Sequence, residues 1–168
     1  SHVAIGYQAM YSNTSTLGYN SVAVGYQSQY CNTGTAGFQT SFGFQTLQNT
    51  IRPTAITAIG CNAINAPTDQ IAFTTAVGSG ALQYYTTGTG NSVIGYLSGA
   101  DQYNAYNTFA GYTAGATIGE LNFAHNVGIG YASCGGEWWG ASAGGYENTA
   151  LGMDALGSLT TGTYNVAL

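Results

Sequence analysis

One glycine returns along the whole chain of 168 residues: Gly6, Gly25, Gly43, Gly60, Gly78, Gly95, Gly111, Gly130 and Gly152. The steps between them are 19, 18, 17, 18, 17, 16, 19 and 22 residues. A tenth unit opens at Asn165-Val166-Ala167-Leu168 and stops where its glycine would stand. A period near twenty residues marks architectures that stack one small unit on the next, so it limits the fold before any other property is considered.

Columns read outward from the glycine carry the local physics. One residue before it stand Ile5, Val24, Phe42, Ile59, Val77, Ile94, Ala110, Ile129, Leu151 and Leu168, all apolar. Three before it, Val3, Val22, Thr40, Thr57, Thr75, Ser92, Thr108, Val127, Thr149 and Val166 are β-branched but for one serine. The intervening column is mostly small, as at Ala4, Ala23, Ser41, Ala58, Ala76 and Ala150. Alternation with period two and β-branched enrichment predict a strand with one large face and one small face. The small face is expected to let another backbone approach closely.

The columns after the glycine are as regular. Tyr7, Tyr26, Phe44, Tyr96, Tyr112 and Tyr131 follow it directly, with Cys61, Ser79 and Met153 in the remaining units. Three residues after it, every position is Ala, Ser or Thr. A glycine between two such half-patterns predicts a bend or a close backbone approach within the sheet, and the repeat is expected to hold one clear strand and a second short extended stretch. Asn precedes the strand at Asn91, Asn107, Asn126, Asn148 and Asn165. The stretches Thr33-Gly34-Thr35, Thr87-Gly88-Thr89 and Thr161-Gly162-Thr163 have turn composition.

The density of Gly, Thr and Asn opposes helix. The expectation is therefore an all-β chain: one repeat domain over residues 1–168, a parallel β-solenoid or β-roll of about nine stacked coils of 16–22 residues. Stacking turns the Tyr column into a structural aromatic ladder of Tyr7, Tyr26, Phe44, Tyr96, Tyr112 and Tyr131, interrupted at Cys61 and Ser79.

Charge narrows the function. Only 4 % of the residues are charged: Arg52 is the sole cation beside no lysine, and six acids give a net charge of −5. A nucleic-acid partner is not expected, because no cluster of Lys and Arg can displace counterions from phosphates. Insertion of this segment in a membrane is not expected either, because no apolar run approaches ~18 residues. Hydrophobic residues make up 45 % of the chain, which argues against disorder. Cys31, Cys61 and Cys134 lack any zinc-ligand spacing and read as small apolar filler. No cofactor or metal is expected.

Units such as Asn20 to Gln29 (NSVAVGYQSQ) and Asn91 to Ala100 (NSVIGYLSGA) resemble the NSVAIG-type repeat of trimeric autotransporter adhesin heads. The stretch Thr160 to Leu168 (TTGTYNVAL) is similar to repeats of bacteriophage and bacterial tail-fibre proteins. The resemblance covers essentially the whole chain. It implies a left-handed parallel β-roll with three parallel chains about a fibre axis. The residues point to oligomerisation as well, since a coil of about eighteen residues encloses a thin core and a thin core alone is marginal. The small strand face and the scarcity of charge fit burial between chains, and the chain reads as a segment of a longer fibre.

The longest unit, Gly130 to Gly152, contains Cys134-Gly135-Gly136-Glu137-Trp138-Trp139-Gly140 and both tryptophans of the chain. Insertions in solenoids map to loops on one face. Trp138 and Trp139 could stack on sugar rings while Glu137 accepts hydrogen bonds from hydroxyls; alternatively the two rings fill a gap between chains. His2 and His125 lie far apart in sequence, and Glu137, Glu147 and Asp154 are scattered, so no catalytic residues and no enzyme activity are expected. Asn13-Thr14-Ser15 is a formal glycosylation sequon.

The leading expectation is a structural and adhesive fibre, a homotrimer outside the cell on a surface appendage or virion, giving rigid display and multivalent weak binding to a cell-surface glycan or protein. A purely architectural filament is the alternative. An ice-binding solenoid is less favoured because the Thr-x-Thr triplets keep no constant offset, and a fibre-borne glycan depolymerase because its carboxylates do not pair.

Overall fold

The computed structural model describes residues 1–14, 20–33, 37–65, 71–85, 87–100, 105–116, 123–135, 144–159 and 161–168. Among them there is no helix, and the chain is a parallel β-solenoid. Its strands are β1 (His2–Ile5), β2 (Ser21–Val24), β3 (Gly37–Phe42), β4 (Thr54–Ile59), β5 (Ile71–Val77), β6 (Gly88–Thr89), β7 (Ser92–Ile94), β8 (Thr108–Ala110), β9 (Phe123–Ala124), β10 (Val127–Ile129), β11 (Gly144–Tyr146), β12 (Thr149–Leu151), β13 (Thr161–Thr163) and β14 (Val166–Ala167). One sheet runs β1-β2-β3-β4-β5-β7-β8-β10-β12-β14, with β6 beside β5, and a second runs β13-β11-β9.

The register of the long sheet never slips. The column three residues before the glycine pairs as Val3↔Val22, Val22↔Thr40, Thr40↔Thr57, Thr57↔Thr75, Thr75↔Ser92, Ser92↔Thr108, Thr108↔Val127, Val127↔Thr149 and Thr149↔Val166. Nine steps of ~4.8 Å make the sheet about 43 Å long.

The glycines stack directly on one another. Each has φ between +125° and +146°, and from Gly25 onward each donates its N–H to the carbonyl before the preceding glycine at 2.8–2.9 Å. A Cβ on any glycine from Gly6 to Gly130 would stand 2.6–2.8 Å from the carbonyl carbon of the next. Both the φ and this approach exclude a side chain.

Beyond the glycine the chain is not extended. The second and fourth residues after it are left-handed, with φ between +48° and +68°. This twist hands successive N–H groups to opposite neighbours: Gln27 N–H bonds Tyr7 O at 2.9 Å below, and Gln29 N–H bonds Thr46 O at 2.9 Å above. Those bonds offset the ~1–3 kcal/mol that a non-glycine residue loses in the left-handed region. The second extended segment lies before the main strand instead. Gly88–Thr89 and Thr161–Thr163, which read as turns from composition, are strands β6 and β13, paired with Ile71–Ala72 and Gly144–Tyr146. Pairing to a neighbouring coil overrides the local preference of Thr and Gly.

The small strand face points into the coil, and the large face points out. Ala23, Ser41, Ala58, Ala76 and Ala150 are fully buried, whereas Ile5, Phe42, Ile94 and Ile129 are exposed. The small residues therefore do not await another chain; they are small because the coil is narrow. Opposite them the fourth residue after the glycine fills the interior, as at Leu47, Ile64 and Leu82. Where that residue is glycine the strand residue is large: a Cβ on Gly115 would stand 2.5 Å from the ring of Phe109. All three cysteines are free thiols, but only Cys134 is buried filler; Cys31 is half-buried and Cys61 is exposed.

Candidate functional site

The surface feature that the repeat builds is the outer face of the long sheet. Along β3 the side chains alternate outward and inward: Phe38, Thr40 and Phe42 point to solvent, Gln39 and Ser41 to the interior. Four columns face outward, at five, three and one residues before the glycine and one after it. Exposure there is high for apolar side chains: 58 % at Ile5, 68 % at Phe73, 55 % at Ile94 and 53 % at Tyr131. Glu147 is the only acidic or basic side chain in the four columns apart from His125, and Arg52 lies outside them.

The column after the glycine forms two ring stacks. Tyr7, Tyr26 and Phe44 have centroids 5.4 and 5.1 Å apart and planes within 17°. Tyr96, Tyr112 and Tyr131 have centroids 5.1 and 5.3 Å apart. Rings stacked in this way cover each other's faces and present their edges. Cys61 and Ser79 separate the stacks and both are exposed, so the Phe44 ring has no ring above it. Tyr106 and His125, five residues before their glycines, form a further tilted pair at 5.1 Å.

Beside the first stack runs an amide ladder that the sequence reading missed. Gln27 Nε2 donates to Gln8 Oε1 at 2.9 Å, and Gln45 Nε2 and Gln48 Nε2 donate to Gln27 Oε1 at 3.0 and 2.8 Å. Its signal was available: three successive units place Gln two residues after the glycine. On its far side Tyr11 and Tyr30 stack at 5.5 Å.

The interior holds a second amide ladder. Asn107, Asn126, Asn148 and Asn165 each donate a backbone N–H, at 2.9–3.0 Å, to the side-chain oxygen of the preceding asparagine in the series that begins at Asn91. At its head Asn91 Nδ2 donates to the Tyr85 hydroxyl at 2.6 Å. Burial raises the Tyr85 pKa, against hydrogen bonds from Thr74 and Asn91 that lower it. Burial alone pushes the Cys134 thiol up to about 12, so it stays protonated and unreactive at neutral pH.

The sequence-predicted ligand residues Trp138, Trp139 and Glu137 lie outside the described residues. Glu147 and Asp154 are both exposed. Among the described residues no group of three His, Cys, Asp or Glu side chains could hold a metal ion. Comparison with protein-family models, curated proteins and solved structures finds no match for this chain, so the functional reading rests on its own surfaces.

Proposed function

We propose that this chain is the structural unit of an extracellular fibre, a homotrimer of parallel solenoids that displays weak, repeated contacts for a cell-surface glycan. The carrying observation is the outer face of the long sheet. It measures roughly 43 Å by 20 Å, on the order of 800 Å² when flat. That equals the area each partner buries in a standard stable interface and exceeds the ~300–600 Å² patch usual on a monomer. Water is a poor partner for such a face, and burial at ~25 cal/mol per Å² favours association.

A second copy is the partner with the right pitch. Two solenoids with the same ~4.8 Å rung spacing keep their side-chain rows in register along the whole contact. With one carboxylate in four columns, like copies meet without charge repulsion. The threefold state, the parallel arrangement and the fibre role follow the resemblance to adhesin-head and tail-fibre repeats. In this reading the backbone ladder supplies stiffness, and copies in one fibre raise weak single-site binding to useful avidity.

Light scattering tests the assembly. A particle of three times 17.2 kDa is expected, and a monomer that persists at high concentration overturns the reading. Phe73→Asp, which puts a charge on the face without touching the core, should shift the mass toward one chain.

A further inference from the structure

We infer that the surface around the Gln8–Gln27–Gln45–Gln48 amide ladder is a binding site for a neutral oligosaccharide, in the first three coils and apart from the Trp138-Trp139 loop. It rests on the proposed adhesive function and names its ligand class and place.

Three observations converge there. The amide ladder is held in place by its own bonds of 2.8–3.0 Å, so its groups are ordered before a ligand arrives. Each bond engages one N–H of Gln27, Gln45 or Gln48, and a primary amide has two, so each keeps a further N–H beside its oxygen. Amides therefore match sugar hydroxyls, which also donate and accept. Aromatic stacks border the ladder on both sides, Tyr7–Tyr26–Phe44 on one and Tyr11–Tyr30 on the other. Phe44 ends its stack, since the small Cys61 follows it in the column, and the exposed rings of the stack offer a surface for the C–H face of a pyranose.

Charge selects the class of sugar. None of these residues is acidic or basic, and the chain carries −5 overall. An acidic sugar would find no cation at the ladder and a repelling field around it. The glutamines are also local: at this position the next coil has Asn62, whose oxygen is taken by Asn65, and beyond it stand Gly80, Leu97, Thr113, Ala132 and Asp154.

The test is a calorimetric titration of the intact chain with β-1,4-linked oligomers of glucose and of N-acetylglucosamine, with sialylated lactose as the acidic comparison. Neutral oligomers should bind. Gln27→Leu and Phe44→Ser should each weaken binding about tenfold, the worth of one lost hydrogen bond or contact, while Leu97→Ala leaves it unchanged. Gln45→Leu serves if Gln27→Leu alters the circular-dichroism spectrum. Undiminished binding by these variants, with loss on replacing Trp138 and Trp139 by alanine, would reject this site and keep the adhesive reading. Preference for the sialylated sugar would reject the neutral class, and no binding to any sugar would reject both.

Discussion

The solenoid solves the same corner in two ways. In β3 to β5 the main strand is six or seven residues long, and the residue four before the glycine is Gln39, Ile56 or Thr74. In β7, β8, β10, β12 and β14 that residue is asparagine and the strand shrinks to two or three residues. Before β10, β12 and β14 the preceding segment joins a separate sheet, β9-β11-β13, whereas β6 before β7 still pairs with β5. The asparagine explains the difference: its side-chain oxygen takes the backbone N–H of the next coil, so the chain can leave the sheet there without stranding a buried donor. From β3 onward, asparagine in this column thus goes with the short main strand and its absence with the long one.

The sharpest way to break this contrast is Asn126→Leu. It removes the acceptor for Asn148 N–H and the donor to Gly145 O, at 2.9 Å each, inside the core. Two buried polar groups left unpaired should cost about 3–5 kcal/mol, read as a lowered urea midpoint. A loss below ~1 kcal/mol would mean the ladder is decoration.

The converse exchange is Ile56→Asn. Ile56 is 1 % exposed between Gln39 and Thr74, with no asparagine above or below to continue a ladder. It should destabilise by roughly 2–4 kcal/mol, from lost apolar burial and an amide without its column. Adding asparagine at positions 39 and 74 together should recover part of that loss, because the three amides can then bond in series.

How much of this was legible in the sequence follows the same division. The glycine column, the strand before it and the ring column after it all come from side-chain size and period, and stacking preserves both. Which strand face is interior did not come through, because alternation separates two faces without saying which is enclosed. A size pairing held that answer: Ser41 with Leu47, Ala58 with Ile64 and Ala76 with Leu82, but Val93 with Gly99 and Phe109 with Gly115. Complementary volumes six residues apart mean that both side chains share one narrow interior. The short strands β6 and β13 were hidden for a different reason. Thr-Gly-Thr prefers a turn in isolation, and only a neighbouring coil makes it extended. Of the candidate site, the ring column was readable and the Gln ladder was present but unread.

At the seam between the two regions stands Tyr85. Its hydroxyl meets Thr74, the last residue of the column before the asparagines, and Asn91, the first of them. Tyr85→Phe keeps the ring and removes the hydroxyl that Thr74 and Asn91 bond, an expected loss of about 1–2 kcal/mol. The effect should be smaller than that of Asn126→Leu, because the bonds lost lie at the ladder's head and leave its rungs intact. Equal losses would show that the ladder is held from its end and not rung by rung.

The effect that vanishes at neutral pH and appears only in alkali belongs to Cys134, in the asparagine-bearing region. Burial raises the Cys134 pKa from 9.0 to about 12, so the folded chain favours the protonated thiol. A raised pKa contributes its full stability below the unfolded value and loses it as pH climbs through the folded one. The window is therefore pH 9 to 12, in which the unfolded chain releases a proton that the folded chain retains. The urea midpoint should fall across that window, and Cys134→Ala should fall less steeply while behaving much like the parent at neutral pH. Thiol labelling separates the two regions without unfolding either: Cys61, exposed between the ring stacks, should react with iodoacetamide at once, and Cys134 only as fast as its coil opens. Labelling of Cys134 that matches Cys61 would mean that the asparagine-bearing coils open far more readily than their ladder allows, and the contrast between the two regions would then be one of stability as well as of strand length.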